Sequence, residues 1–125
     1  MIYISRRDVS QWNARGDFVG SIEKIKKRFL PMSETMFYII FSLQTERHGY
    51  GVMQHVKDKT NNRLILGAGT IYQSIGKLES DGLIEATKEL DRRKLYIITD
   101  MGKQILRAEA ARIKEIHCNL EEGLL

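Results

Sequence analysis

The sequence predicts a mainly α protein with a small β-hairpin: a winged helix-turn-helix followed by a long C-terminal helix. Helical apolar spacing recurs through the first two thirds of the chain, two strand-like segments then flank a charged turn, and one long helical stripe closes it. A chain of 125 residues with 42% hydrophobic residues suits one compact core. We expect an N-terminal extension (1–21), a winged helix-turn-helix domain (22–98) and a C-terminal helix (99–125).

Two helices are predicted around the chain's single proline. Apolar residues from Ile22 to Phe29 recur at helical spacing, and Pro31 ends that segment because proline biases its predecessor away from helix. Ser33 is typical of an N-cap. The segment after it is apolar nearly all round, which indicates a buried helix to about Thr45.

The middle of the chain alternates between helix and extended segments. A helix over 50–60 follows a turn with two glycines, and a short extended piece is expected at Leu64–Leu66. After a further helix, two short strands are expected at 83–90 and 94–99. They flank the charged tip "DRRK", which predicts a hairpin.

The helix before the hairpin has two distinct faces. Ile71, Ile75 and Leu78 recur at i, i+4 and i+7, the inward stripe of a helix, and Gly82 suits its C-terminal cap. Polar residues lie on the opposite face. In a winged helix-turn-helix this helix occupies the DNA major groove, so we interpret the polar face as a recognition surface.

The recognition surface has side chains suited to duplex DNA. Gln73 can pair with adenine through two hydrogen bonds, and Lys77 can reach guanine acceptors or a phosphate. Thr70 and Ser74 are short and suit phosphates, while Tyr72 lies at the boundary of the two faces, where its hydroxyl can reach the backbone. The alternative is an ordinary solvated helix face.

The hairpin tip supplies a second indication of DNA contact. Arg92, Arg93 and Lys94 are three consecutive cations, and cations that neutralise phosphates release counterions and give salt-sensitive affinity. Asp91 beside them can pair with either arginine. The alternative is a surface hairpin kept soluble by its charge.

The net charge is unevenly placed. Residues 1–31 contain seven Lys/Arg and three Asp/Glu, whereas residues 32–125 contain thirteen of each. Residues 1–21 admit three interpretations: a mobile basic arm on DNA, a packing extension using Trp12 and Phe18, or an overextended gene start. We expect disorder over part of 1–15, because that segment has no sustained periodicity.

The rest of the sequence favours no membrane span, metal site or enzyme. No run of about 18 apolar residues occurs, and the charged N-terminus is not a secretion signal, so we expect a cytoplasmic protein. The lone Cys118 fits a reducing compartment. His48 and His55 fall on different predicted elements without nearby ligands, and no cofactor motif is found.

The last helix predicts a homodimer. It spans about 36 Å at 1.5 Å per residue, which outreaches a core of this size. Its stripe lasts nearly three heptads, about the least that suggests a coiled-coil contact. The alternative is packing back onto the first helix of the same chain. The predicted interface residues are Leu106, Ala110, Ile113, His117, Leu120 and Leu124.

Several spaced motifs resemble the PadR family of bacterial transcriptional regulators. They are "HGYGVMQHV", "GAGTIYQSIGKLESDGLIE" and "RRKLYIITDMGKQIL", which together cover about Leu30 to Leu120. The motif of the helix before the hairpin begins at Gly69–Tyr72 and ends with "LESDGLI". The single C-terminal helix is similar to that of the short subfamily.

The resemblance implies a winged-helix dimer held by its C-terminal helices, usually a repressor on a roughly palindromic operator. Some family members respond to phenolic acids or bind lipophilic drugs, so a small aromatic or lipophilic effector is a further implied partner. The matching recognition positions are Thr70, Tyr72, Gln73, Ser74 and Lys77. The neutral balance of residues 32–125 motivates the alternative of a winged-helix module that binds protein instead of DNA.

Overall fold

The computed structural model describes residues 19–124, with side chains from residue 22 onward. The expectations for residues 1–18 therefore lie outside the described residues. Five helices and a two-stranded antiparallel sheet follow one another in this order: α1 (Val19–Phe29), α2 (Glu34–Ser42), α3 (Gly49–Lys59), α4 (Ala68–Ser80), β1 (Ile84–Leu90), β2 (Arg93–Ile98) and α5 (Asp100–Gly123).

The N-cap of α2 is confirmed, but the helix is shorter than predicted. The Ser33 hydroxyl accepts a hydrogen bond from the Met36 amide, and α2 ends at Ser42, three residues before Thr45. The helix ends there because the residues after it run beside β2. The Leu43 carbonyl accepts a hydrogen bond from the Ile98 amide of β2 at 2.8 Å.

The extended segment beside the hairpin lies elsewhere than predicted. Arg47 forms an antiparallel bridge with Tyr96, with backbone N–O distances of 3.1 and 2.9 Å. The extended piece predicted at Leu64–Leu66 pairs with no strand: this segment is a loop that follows α3. Leu66 is buried and Ile65 is exposed, so side chains alternate between core and solvent as they would in a strand. The segment has no strand to pair with, because the outer edge of β2 is already hydrogen-bonded to the segment before α3.

One hydrophobic core joins the helices to the base of the hairpin. The inward stripe predicted for α4 is confirmed, since Ile71, Ile75 and Leu78 are at most 2% exposed. The buried residues that form this core are Ile25, Phe29, Met32, Ile39, Ile40, Leu43, Val52, Val56, Leu66, Ile71, Ile75, Leu78, Leu83, Ile84, Tyr96, Ile98, Ile105 and Leu106.

The end of α4 directs the chain into the hairpin. Gly82 has φ of +79°, a left-handed conformation that favours glycine. Its amide donates to the Glu79 carbonyl, and the Leu83 amide donates to the Leu78 carbonyl at 2.9 Å. These two bonds form a Schellman cap, as the sequence predicted, and they bury Leu83 at the base of β1.

The hairpin is confirmed, with a tighter tip than "DRRK". The turn contains only Asp91 and Arg92, both with positive φ (51° and 63°), as in a type I′ turn. Arg93 and Lys94 begin β2, paired with Leu90 and Glu89.

The long C-terminal helix begins where the sequence predicts. The Thr99 hydroxyl accepts from the Gly102 amide as an N-cap and donates to the Gly82 carbonyl at 2.6 Å. The first half of α5 packs against α1, α2 and β2, with Ile105 and Leu106 in the core. The second half extends beyond the core and is exposed.

Candidate nucleic-acid interface

The exposed face of α4 has the polar side chains that the sequence assigned to it. Thr70, Gln73 and Lys77 are exposed, and Ser74 is half-buried between them. Because Ile71, Ile75 and Leu78 anchor the opposite face in the core, these four side chains lie on one outward surface. They can donate and accept hydrogen bonds without further change of the fold.

Tyr72 packs against the start of α3 and not in the core. Its side chain is 53% exposed. A Cβ atom added at Gly49 would lie 2.7 Å from the Tyr72 Cζ atom and 2.8 Å from its hydroxyl oxygen, so this approach requires glycine at position 49. The hydroxyl therefore lies beside the first turn of α3, at the edge of the α4 surface.

Tyr50 connects the α4 surface to the hairpin. It is 51% exposed, and the Arg93 guanidinium carbon lies 5.9 Å from its ring centroid, within cation–π range. Gln54 donates a hydrogen bond to the Tyr50 hydroxyl at 3.1 Å. A continuous strip of residues thus runs from α4, the recognition helix, to the β1–β2 hairpin, the wing. We call it the tyrosine strip, and it consists of Tyr72, Gly49, Tyr50 and Arg93.

Tyr50 is not among the DNA-contact residues that the sequence predicts. It belongs to the "HGYG" motif, which carries part of the family resemblance. His48 completes the local structure: its Nδ1 atom accepts from the Gly51 amide at 3.0 Å and caps α3. Tyrosine hydroxyls and backbone amides are common donors to DNA phosphates, so this strip is suited to the DNA backbone.

The three wing cations do not point the same way. Arg92 lies in the turn, whereas Arg93 and Lys94 are neighbours in β2 and face opposite sides of the hairpin. Lys94 lies opposite Glu89, which offsets its charge. No ion pair joins Asp91 to an arginine within residues 19–124. Arg92 and Arg93 are therefore the stronger candidates for phosphate contact.

The predicted dimer stripe divides into two parts. Leu106 is 8% exposed and belongs to the core of its own chain. Ala110 and His117 are exposed, and His117 Nε2 lies 3.2 Å from a Glu121 carboxylate oxygen. The exposed apolar residues on the second half of α5 include one that the sequence did not assign, Ile116; they are Ile113, Ile116, Leu120 and Leu124.

A cleft of about 350 Å³ lies between the start of α2 and the middle of α5. Its floor contains Glu109, 1% exposed, which accepts two hydrogen bonds from Arg112 at 2.8 and 2.6 Å. These bonds hold the pKa of Glu109 below its usual value, against the effect of burial, with help from the Met32 amide. Phe37 and Tyr38 form an aromatic wall.

His48 and His55 both make hydrogen bonds within the fold. Ser42 donates its hydroxyl to the Tyr38 carbonyl at 2.6 Å, so its oxygen accepts from His55 Nδ1 at 2.8 Å. Burial lowers the pKa of His55. No group of three potential metal ligands occurs within residues 19–124, and no helix there is long and apolar enough to span a bilayer.

Helices α2, α3 and α4, a charged hairpin and the polar outward face of α4 define a winged helix-turn-helix protein. The sequence model of the transcriptional regulator PadR-like family matches residues 36–108. The chain belongs to this family, whose members are transcriptional regulators and not enzymes. The predicted fold class and family resemblance are therefore confirmed.

Three individual proteins show how far the similarity extends. An uncharacterised protein of Lysinibacillus sphaericus is 35% identical over 89 residues, which cover 66% of this chain and 82% of the relative. A PadR family regulator from Clostridium difficile has a similar fold, with a TM-score of 0.63 at 21% identity over 74% of this chain and all of the other. Bacillus subtilis PadR in complex with operator DNA matches with a TM-score of 0.55 at 25% identity, over 61% of this chain and 46% of the other.

Proposed function

We propose that this protein is a transcriptional repressor that binds a roughly palindromic operator as a homodimer. The observation that carries the proposal is the continuous outward surface formed by α4, the tyrosine strip and the wing. The Bacillus subtilis PadR structure, which contains operator DNA, supports the choice of duplex DNA as the partner. Acting on chromosomal DNA, the protein would work in the cytoplasm.

In this proposal α4 enters the major groove. Gln73 reads adenine through its amide, and Lys77 reaches guanine or a phosphate at the next turn of the helix. Thr70 and Ser74 bind phosphates at the groove edge, as does the Tyr72 hydroxyl. The wing cations Arg92, Arg93 and Lys94 neutralise the flanking backbone, with Lys94 the weakest because of Glu89.

The second half of α5 supplies the dimer contact. Three exposed apolar side chains lie on it and a fourth, Leu124, follows directly, and burying such a surface against a second copy is favourable at about 25 cal/mol per Å². The contact runs through Ala110, Ile113, Ile116, His117, Leu120 and Leu124. A two-fold dimer presents two α4 helices to two half-sites, which accounts for a palindromic operator.

The cleft beside Glu109 is the proposed site for a small aromatic or lipophilic effector. Its volume is within the range of small-molecule sites, and Phe37 and Tyr38 offer aromatic surface beside the polar Arg112 group. Because residues of both α2 and α5 line the cleft, a ligand there would contact the helix-turn-helix core and the helix proposed for the dimer contact at the same time.

The DNA-reading role of α4 is tested with Gln73→Ala. We expect the affinity for the cognate operator to fall by about 1–3 kcal/mol, the value of one bidentate base contact, while affinity for random DNA stays unchanged. Gln44→Ala, at an exposed glutamine in the loop after α2, is the matched control. Equal losses on cognate and random DNA for Gln73→Ala would contradict base reading.

The dimer is tested by sedimentation velocity on Ile116→Glu. Ile116 is 44% exposed, so a charge there leaves the fold intact while it opposes burial of the α5 surface. We expect the wild type to sediment as a dimer and the variant as a monomer. Ile65→Glu, at an exposed isoleucine in the loop before α4, should remain dimeric. A monomeric wild type would exclude the homodimer.

A further inference from the structure

Helix α1 lies outside the part of the chain that the family model matches, residues 36–108. It nevertheless contains most of the net charge of the protein. Within Val19–Phe29 there are four cations and one acid, whereas residues 32–125 contain equal numbers of each. A solvated helix usually mixes both signs, so this imbalance on one short helix calls for a negatively charged partner.

The structure fixes α1 to the end of the recognition helix. Ile25 and Phe29 are buried in the common core, so α1 is mounted rigidly. Arg28 forms an ion pair of 2.6 Å with Asp81, the residue that caps α4 at its C-terminus. One turn earlier on α4, the Lys77 ammonium lies 5.4 Å from the centre of the Phe29 ring.

Helical spacing indicates which cations of α1 lie beside the Arg28–Asp81 contact. Lys24 lies four residues before Arg28 and therefore on the same side of α1 as Arg28, and Lys27 is adjacent to Lys24 at i+3. Both lysines are exposed. Lys26 instead lies 3.7 Å from Glu23 in an ion pair. We call Lys24 and Lys27 the α1 basic edge.

We propose that the α1 basic edge binds the DNA phosphate backbone next to the base pairs that α4 reads. A recognition helix leaves the major groove toward one bordering strand, and cations mounted at its C-terminal end meet the phosphates of that strand. The α1 basic edge continues the recognition surface beyond Lys77. The partner is the same duplex DNA, so this inference rests on the proposed function.

The rigid mounting distinguishes this contact from a loose basic tail. Ordering a long side chain costs conformational entropy, but the helix that positions Lys24 and Lys27 is already ordered by its buried face. Arg28 is a positioning residue, since its bond to Asp81 holds α1 at the end of α4. The contact adds affinity for any sequence, because phosphates contain no base information.

The test is the salt dependence of DNA binding by Lys24→Gln/Lys27→Gln. Glutamine keeps helix propensity and removes two charges. For two lost phosphate contacts, the slope of log affinity against log salt should become shallower by about 1.8, and affinity should fall on the order of tenfold near 0.15 M salt, on operator and random DNA alike. Circular dichroism checks that the helix content is unchanged.

The control variant loses the same charge elsewhere. Lys103 and Lys114 are exposed on α5, which contributes no residue to the proposed DNA surface, so Lys103→Gln/Lys114→Gln should keep a slope within about 0.5 of the wild type. If both double variants have the same slope, the α1 contact is refuted while the proposed function stands. If the wild type binds no DNA at all, both proposals fail.

Discussion

Replacing Gly102 by alanine should strongly destabilise the fold, because this glycine lets α5 approach the base of the wing. A Cβ atom at this position would overlap the Leu83 carbonyl oxygen and lie 2.7 Å from the Ile98 Cγ1 atom. The obstacle is backbone, which cannot rotate away as a side chain can. The start of α5 must therefore move outward to admit one methyl group.

The size of the loss follows from what that movement breaks. Overpacking a core costs about 1–3 kcal/mol. The Leu83 carbonyl also accepts a 2.9 Å hydrogen bond from the Thr99 amide, and losing this bond adds roughly 0.5–1.5 kcal/mol. We expect Gly102→Ala to lose about 2–4 kcal/mol, and the melting temperature to fall by about 10 °C in a domain of this size.

The assay is thermal unfolding followed by circular dichroism, at one protomer concentration for all variants because the proposed dimerisation would shift the midpoint. Gly76→Ala is the matched control. A Cβ atom there meets nothing within 4 Å, so alanine should raise stability by up to about 1 kcal/mol through its helix propensity. If Gly102→Ala melts within about 2 °C of the wild type, α5 does not pack on Leu83 as described.

Two further predictions concern charges. Arg92→Gln/Arg93→Gln should weaken binding to all DNA and make the salt slope shallower by up to about 1.8, as measured by anisotropy titrations at several salt concentrations. Arg112→Gln should lower the urea midpoint at pH 7, because it leaves the buried Glu109 carboxylate without its partner. The folded-state pKa of Glu109 is lowered from the ordinary value of 4.5, chiefly by the Arg112 hydrogen bonds, so the contribution of the pair is full above that value and is lost as the pH falls below it. The gap in urea midpoint between Arg112→Gln and the wild type should therefore narrow at pH 4.

Matched variants separate these effects from general loss of charge. Lys57→Gln/Lys59→Gln, at the end of α3, removes two cations away from the wing. It should change the salt slope of DNA binding less than Arg92→Gln/Arg93→Gln does. Arg63→Gln removes a surface ion pair with Glu34, which is exposed to water, and should lower the urea midpoint less than Arg112→Gln does. A loss for Arg112→Gln that stays constant from pH 7 to pH 4 would count against the buried pair.

Most of the fold could be predicted because local patterns determined it. The spacing of Ile71, Ile75 and Leu78 placed α4, and a glycine at position 82 ended it through a left-handed cap. Leu64–Leu66 misled the prediction because alternation shows burial on one side but cannot show whether a neighbouring strand edge is available.

The parts of the site that the sequence did not reveal depend on contacts between distant residues. Tyr50 and Arg93 are 43 positions apart and meet only because the wing folds over α3. The turn at Asp91 and Arg92 uses positive φ at two residues that rarely adopt it, so the sequence suggested a longer tip. Leu106 shares the stripe of α5, and only packing shows that its own chain covers it.

The central claim is sequence-specific DNA binding through α4 and the wing. Its most direct test is fluorescence anisotropy of the purified protein with DNA from upstream of its own gene, with random DNA as competitor and at two salt concentrations. We predict tight binding that resists the competitor and weakens steeply with salt. Binding no tighter than to random DNA at both salt concentrations would contradict this claim and favour a winged-helix module with a protein partner.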